Sequence, residues 1–169
     1  RILIVGLAPG LQGANRTGRP FTGDYAGVLL YETLLRYKFA RGQYGAHPDD
    51  GLALYVHVPF CESLCHYCAC NKVITRDHAP AVQFLASIER EVAAVREALR
   101  VPREATQQHW GGGTPTFLSP DQLVRLHQIV TQAFPMRSGA EVSLEVDPRV
   151  TTSEQVAALA ECGFNRISM

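Results

Sequence analysis

Between residues 54 and 70 the chain reads Leu54-Tyr55-Val56-His57-Val58-Pro59-Phe60-Cys61-Glu62-Ser63-Leu64-Cys65-His66-Tyr67-Cys68-Ala69-Cys70. An apolar run typical of a buried strand leads directly into a loop that holds four of the five cysteines. A secreted disulfide scaffold would spread its cysteines through the chain instead. The loop therefore predicts a soft metal centre in a reducing compartment, and we expect a cytoplasmic protein.

Strand and helix patterns alternate on both sides of this loop, from about residue 52 to residue 169. Strands are predicted at 54–58, 107–110, 142–146 and 164–168. A first helix is predicted to begin at Pro80 and a second after Ser119, which forms a capping box with Gln122, and Thr151 and Glu154 are predicted to cap a third. This alternation predicts an α/β fold of βα units on a parallel sheet, equal to half of a (β/α) barrel. The cysteines, three glycines (Gly111 to Gly113) and an acidic pair (Glu145 and Asp147) all follow strands, where such barrels carry their chemistry.

Composition argues against a broadly basic nucleic-acid or membrane binder and against a membrane-spanning or secreted protein. The chain has 169 residues, 46% of them hydrophobic and 19% charged, with a formal net charge of zero. A neutral chain offers no broad electrostatic footprint for nucleic acid or an anionic membrane. No apolar run reaches the length of a membrane span, and the N-terminus lacks a signal-peptide layout. Arg1 and Met169 each lie within an apparent strand, so we expect a fragment of a longer protein.

The cysteine spacing narrows the kind of metal site. Cys61, Cys65 and Cys68 are separated by four and three positions, which lets three thiolates wrap one small inorganic group. Thiolates bind zinc, copper(I) or iron–sulfur clusters. A structural zinc site normally takes four ligands from two separated knuckles, whereas three ligands leave the fourth iron of a cubane free for a cofactor. An inert zinc site is the alternative.

Four strings carry a more specific resemblance. The CxxxCxxC spacing after a first strand resembles the radical SAM (S-adenosylmethionine) superfamily, and the longer strings resemble its oxygen-independent coproporphyrinogen III oxidases. The strings are Leu54 to Lys72, His109-Trp110-Gly111-Gly112-Gly113-Thr114-Pro115-Thr116, Glu145-Val146-Asp147-Pro148-Arg149 and Gly163-Phe164-Asn165-Arg166-Ile167-Ser168-Met169. The resemblance implies a truncated, partial radical SAM barrel over residues 52–169.

The same resemblance implies the cofactors and their ligands. Cys61, Cys65 and Cys68 would ligate a [4Fe–4S] cluster, while Cys70 matches a further cysteine that does not. SAM would chelate the fourth iron, and one electron would split it to a radical that oxidises propionates of a porphyrinogen substrate to vinyl groups, with loss of carbon dioxide. A flavodoxin or ferredoxin would donate the electron. The family implies no catalytic side chain that we can assign.

Six further positions match SAM contacts of the family. Tyr55, Gly112 and Glu145 match residues around the cluster-bound SAM, and Tyr67, Gly113 and Thr114 match residues around a second SAM. Glycines let a backbone approach a ligand closely, and a carboxylate accepts hydrogen bonds from hydroxyl or ammonium groups. The alternatives are a plain tight turn at the glycines and a solvated Glu145. His57 and His109 are either site residues or ordinary barrel histidines.

The first 51 residues predict a strand at 1–5, a glycine-rich loop, a helix at about 26–39 and a linker at 40–51. They carry a different resemblance. Gly6 to Asp24, with Gly13-Ala14-Asn15-Arg16-Thr17-Gly18-Arg19, resembles the first motif of thermophile-type uracil-DNA glycosylases. It implies a short β-loop-α fragment in which Gly10, Gly13 and Asn15 lie near a flipped-out uracil and Phe21 stacks on it. The later glycosylase motifs are missing, which favours an inert remnant fused near residues 49–52 to the second segment.

We therefore expect two domains, a glycosylase-like fragment at residues 1–51 and the first half of a radical SAM barrel at residues 52–169. The leading hypothesis is a radical SAM oxidoreductase of the coproporphyrinogen type, with weak or no turnover from the half barrel. The alternatives are a uracil-recognising nucleic-acid fragment and an inert metal-binding fusion. We expect neither a membrane nor nucleic acid as a partner.

Overall fold

The computed structural model of the chain describes residues 33–38, 52–66, 68, 70–99 and 104–169. The chain divides into two units, Arg1–Asp50 and Gly51–Met169. In the first unit only residues 33–38 are described, of which 33–36 are helical, within the helix predicted at 26–39. The strand predicted at residues 1–5, the glycine-rich loop and the linker lie outside the described residues.

The second unit is a parallel α/β structure. Its main sheet has four strands in the order β1-β4-β5-β6, and every neighbouring pair is parallel. A second, two-residue parallel ladder joins β2 to β3. The elements are β1 (Leu52–Val58), β2 (Phe60–Cys61), β3 (Val73–Ile74), α1 (Pro80–Leu99), β4 (Ala105–Gly112), a 3-10 turn (Pro115–Phe117), α2 (Pro120–Ala133), β5 (Met136–Glu145), α3 (Ser153–Glu161) and β6 (Arg166–Ser168). The predicted βα alternation is confirmed.

One face of the sheet forms the core with the three helices. The register places Val56 beside Trp110 and Trp110 beside Leu144, and all three side chains are buried. Burying a large apolar side chain contributes roughly 1.5–3 kcal/mol, so this face supplies much of the stability. The helices add the buried residues Ala81, Leu85, Leu123, Leu126, Val130 and Leu159. Alternate strand residues point to the other face, which the described helices leave uncovered.

The helix starts are set by local chemistry. Ser119 accepts from the Gln122 backbone and the Gln122 side chain accepts from the Ser119 N–H, so the predicted capping box of α2 is confirmed. The prediction that Thr151 caps α3 is wrong by one residue, since Thr152 is the N-cap and pairs with Gln155. The Thr151 hydroxyl instead bonds the Asp147 carbonyl and the Thr116 hydroxyl, each at 2.8 Å.

The strands differ from prediction mainly in length. β5 begins at Met136, six residues before the predicted start at 142. Its first part contains Gly139, with φ of +75°, and its pairing with β4 shifts register between Ala105 and Gln107. This irregular, polar segment lacks the apolar alternation that marks a strand in sequence. Among the described residues, no helix is both long and apolar enough to cross a bilayer.

Candidate active site at the carboxyl edge of the sheet

The predicted site residues meet where β1, β4 and β5 end. Register pairs Tyr55 with His109, and His109 with Ser143, on the sheet face opposite the helices. Glu145 follows Ser143 by two residues, so its side chain projects from the same face. Tyr55 is 51% exposed on this face. A polar, accessible surface thus lies directly beside the cysteine loop.

His57 ties this surface to the cysteine loop. Its Nε2 lies 2.8 Å from the carbonyl oxygen of Asn71, at the end of the loop. Because a carbonyl only accepts, Nε2 carries the proton, and in the neutral ring Nδ1 accepts from the Tyr55 hydroxyl at 3.2 Å. The pKa of Tyr55 is raised to about 12, chiefly by burial and further by the negative charges of Glu145 and Cys70. Tyr55 is therefore a neutral donor at physiological pH.

Glu145 is held by two partners. Its Oε2 accepts from the backbone N–H of Gly112 at 3.3 Å, and its Oε1 lies 3.7 Å from Nε2 of His109. His109 is itself fixed by a 2.8 Å hydrogen bond between Nδ1 and Oγ of Ser143. The pKa of Glu145 is lowered, first by His109 and then by the Gly112 N–H, against the opposing effect of burial. The carboxylate is therefore ionised and preorganised at neutral pH.

The glycine run makes room for these side chains. A Cβ at Gly112 would lie 2.5 Å from Cε1 of His57, and the φ of +107° is itself unfavourable for other residues. A Cβ at Gly113 would meet the Phe60 carbonyl oxygen at 2.6 Å. The N–H groups of Gly113 and Thr114 donate to Val58 and Phe60, each at 2.7 Å. These two hydrogen bonds connect the glycine run to the segment that leads into the cysteine loop.

The cysteines occupy different environments on that loop. Cys61 ends β2, is buried, and accepts from the Thr114 hydroxyl at 3.5 Å, while Cys65 is exposed and Cys68 half-buried. The Lys72 ammonium donates to the carbonyls of Cys68 and Cys70 at 3.3 and 3.2 Å. The pKa of Cys68 is lowered, first by a backbone hydrogen bond at Cys70, and Lys72 adds to the effect.

The three sulfurs lie at one edge of the fold without converging. In the described ranges no group of three His, Cys, Asp or Glu side chains stands at metal-binding separation. Tyr67, predicted beside a second SAM, lies outside the described residues. A cleft beside the loop is lined by Cys61, Glu62, Ser63, Thr114, Phe117, Asp147 and Val150. Three soft donors, nearby cations and this cleft suit a thiolate-bound cluster in their chemistry.

Arg149 lies in the turn after β5 and contacts the site, although no sequence pattern indicates a role for it there. Its guanidinium donates hydrogen bonds of 2.7 and 2.9 Å to the carboxylate of Asp147. One terminal nitrogen also lies 3.8 Å from the sulfur of Cys65, to which it donates. The pKa of Asp147 is lowered by this hydrogen bonding with Arg149. Arg149 belongs to a quoted motif, but 84 residues separate it from Cys65. Only the fold reveals the contact.

Comparison with known proteins gives one consistent result. A family model described as the radical SAM superfamily matches residues 55–169. An oxygen-independent coproporphyrinogen III oxidase of Mannheimia haemolytica is 40% identical over 138 residues, which are 82% of this chain and 93% of the relative. The Pseudomonas aeruginosa protein of that name is 44% identical over 162 residues, 94% of this chain and 34% of its own length.

Two further matches come from Escherichia coli. Its oxygen-independent coproporphyrinogen III oxidase is 39% identical over 153 residues, 90% of this chain and 31% of its own length. A solved structure of coproporphyrinogen III oxidase, described as a radical SAM enzyme, superposes with a TM-score of 0.69 at 43% identity, covering 73% of this chain and 28% of that one. The chain thus spans about a third of the length of most of these relatives.

These matches also bear on the N-terminal segment. A match of 153 residues is longer than the segment from 52 to 169, so it extends into the first 51 residues. The comparisons do not support a glycosylase-like fragment there. The short glycine-rich motif that suggested it lacks the later motifs needed to make it specific.

Proposed function

The chain belongs to the radical SAM superfamily and to its oxygen-independent coproporphyrinogen III oxidases, and from this membership we propose that the carboxyl-edge site binds a [4Fe–4S] cluster and SAM. Proteins of this family use both cofactors. The observation that carries the proposal is that the loop with Cys61, Cys65 and Cys68 lies against a glycine run and an ionised carboxylate, all at one sheet edge. Enzymes on parallel barrels place their chemistry at this edge.

The cluster ligands in this proposal are Cys61, Cys65 and Cys68. Cys61 starts from a fixed position, because β2 pairs with β3 and Thr114 already donates to its sulfur. The exposed Cys65 and half-buried Cys68 lie on the less regular part of the loop, where modest rearrangement can bring three sulfurs around one cluster. Lys72 and Arg149 offset the negative charge that three thiolates bring together.

SAM would lie on the face that carries Tyr55, Gly112 and Glu145. Glu145 offers a carboxylate whose direction is set by Gly112 and His109, and Tyr55 offers a neutral hydroxyl. Gly112 lets the backbone approach a ligand without a side chain in the way. Tyr67, Gly113 and Thr114 are proposed to contact a second SAM. The N–H groups of Gly113 and Thr114 already donate to the carbonyls of Val58 and Phe60. These two residues would therefore contact SAM through their surface and carbonyl groups and not through their N–H groups.

These contacts indicate which roles belong to the protein and which to its cofactors. A cluster held by these cysteines would supply the one-electron chemistry needed to cleave SAM and start radical oxidation of a substrate. The protein's part is to orient and to shield. His57 holds the end of the loop through Asn71, and the Gly113 and Thr114 N–H groups hold its beginning. Both ends of the loop are thereby fixed to the rigid sheet.

The substrate is inferred from the relatives. We propose that the whole protein oxidises coproporphyrinogen III, the compound in the name of the relatives, and that it does so by oxidative decarboxylation of the propionate side chains. We further propose a flavodoxin or ferredoxin as electron donor in the cytoplasm. The described residues form an open sheet of four parallel strands that is not closed into a barrel. We therefore expect this chain alone to turn over substrate weakly or not at all.

The ligand assignment is tested with two cysteine variants. We would reconstitute the chain anaerobically with iron and sulfide and measure protein-bound iron and sulfide in the wild type, Cys65→Ser and Cys70→Ser. We expect about four irons per chain in the wild type and Cys70→Ser, and loss of the cubane in Cys65→Ser. Cys70 is the matched control because it lies on the same loop. A cubane that survives Cys65→Ser would remove the proposal. A wild-type chain that binds zinc and takes up no iron would also remove it.

A further inference from the structure

One cation reaches the cysteine loop from a different part of the fold. Arg149 lies in the turn between β5 and α3, whereas Cys65 lies between β2 and β3. The N–H of the guanidinium is 3.8 Å from the Cys65 sulfur, within the range of a hydrogen bond to sulfur. It therefore brings a full positive charge directly against the sulfur of Cys65, whereas the other cation beside the loop, Lys72, acts on Cys68.

The guanidinium is fixed where it stands. Asp147 binds it through Nε at 2.9 Å and through the terminal nitrogen at 2.7 Å, the two-pronged geometry that arginine forms with a carboxylate. The backbone of Asp147 is also fixed, because its carbonyl accepts a hydrogen bond from the Thr151 hydroxyl at 2.8 Å. Thr151 is anchored to Thr116 at 2.8 Å. The side chain of Arg149 is nevertheless 65% exposed, so its position comes from Asp147 and not from packing.

A hydrogen bond and a positive charge at a ligand sulfur have a defined electrostatic effect. Reduction adds one negative charge to an iron–sulfur cluster, and net charge and hydrogen bonds to the sulfurs are established determinants of its potential. A nearby cation stabilises the more negative, reduced form more than the oxidised form. Removing the cation must therefore lower the reduction potential of the cluster.

We propose that Arg149, held by Asp147, is a positioning residue that raises the reduction potential of the cluster through the sulfur of Cys65. The inference rests on the proposed cluster and on Cys65 as one of its ligands. It assigns a function to the Asp147–Arg149 pair, which contacts the loop without being a ligand itself.

The test is a redox titration of the reconstituted chain without SAM, followed by electron paramagnetic resonance. We would compare the wild type with Arg149→Gln and with Arg149→Met, which keeps the alkyl stem and removes the charge. Arg125→Gln is the matched control, because Arg125 is also exposed and ion-paired with a carboxylate at 2.7 Å, but on the helix layer. We expect a lower potential in both Arg149 variants and an unchanged potential in Arg125→Gln.

The outcomes separate this inference from the proposed function. A wild-type chain that binds no cluster removes the proposed function and the inference with it. A cluster of equal potential in the wild type and both Arg149 variants overturns the inference alone. Loss of the cluster in both variants, with the circular dichroism of the cluster-free chain unchanged, also overturns it, since Arg149 would then be needed for assembly and not for tuning.

Discussion

The imidazole of His57 fills the space in which a Cβ at residue 112 would stand, with its Cε1 2.5 Å from that position. The same ring bonds the Asn71 carbonyl at 2.8 Å. The absence of a side chain at Gly112 is therefore a condition for anchoring the cysteine loop. The glycine run serves the loop as well as any ligand that binds beside it.

Gly112→Ala should consequently destabilise the protein. The residue would be strained at φ of +107°, and His57 would have to move, so we expect a loss of about 2–4 kcal/mol in the free energy of unfolding. Gly139→Ala is the control, because its φ is also positive at +75° but nothing lies within 4 Å of its Cβ. We expect a loss of about 1 kcal/mol there. Equal losses in urea titrations would show that His57 does not fill the space.

Gln155 should contribute more to the free energy of unfolding than a residue that only completes a capping box. Its Oε1 accepts from Thr152, as Gln122 does from Ser119, but its buried Nε2 also donates to the carbonyls of Thr116 and Leu118 at 2.6 and 2.8 Å. Gln155→Ala leaves both carbonyls without this donor, so we expect a loss of about 2–4 kcal/mol. Gln122→Ala removes only the cap and should lose about 0.5–1 kcal/mol. Similar losses in both variants would contradict the role of the amide.

Tyr55 should ionise far above the usual range of a tyrosine. Its pKa of about 12 favours the neutral phenol in the folded chain, so its stabilising effect is complete below pH 10 and is lost as the pH rises toward 12. We would subtract the absorbance titration at 295 nm of Tyr55→Phe from that of the wild type, with circular dichroism recorded in parallel. The difference between the two titrations should show a single ionisation centred near pH 12. A step near pH 10 would mean that Tyr55 is not shielded.

Glu145 should contribute to stability at neutral pH and not in acid. Its pKa is lowered by His109 and the Gly112 N–H, so the contribution is present above the ordinary pKa of a glutamate and is lost as the pH falls through the lowered value. Glu145→Gln should unfold at lower urea concentration than the wild type at pH 7, and the difference should shrink by pH 3.5. The exposed α1 residue Glu91 supplies the control, Glu91→Gln. A constant difference would exclude the charge as its origin.

Local sequence patterns predicted the elements well. The apolar run before Cys61, the capping box at Ser119 and the proline at the start of α1 each depend on residues a few positions apart, and all three features appear as expected. The alternation of strands and helices then fixes a parallel sheet. That in turn brings the cysteine loop, Gly112 and Glu145 to one edge.

What the sequence did not predict depends on distant residues. Thr151 and Thr152 are equivalent capping candidates until Thr116 engages the first of them. The ladder of β2 and β3 has only two residues in each strand, too few to show a pattern. The contact of Arg149 with Cys65 spans 84 residues. Each of these needs the folded arrangement of several loops, which no local pattern contains.

The central claim is that three cysteines hold a cluster with one iron open to SAM, and one measurement tests it most directly. The chain, reconstituted with iron and sulfide without oxygen and then reduced, is examined by electron paramagnetic resonance with and without SAM. The account predicts a reduced [4Fe–4S] signal whose shape changes when SAM is added. A chain that forms no cluster, or a cluster whose signal is the same with and without SAM, would contradict it.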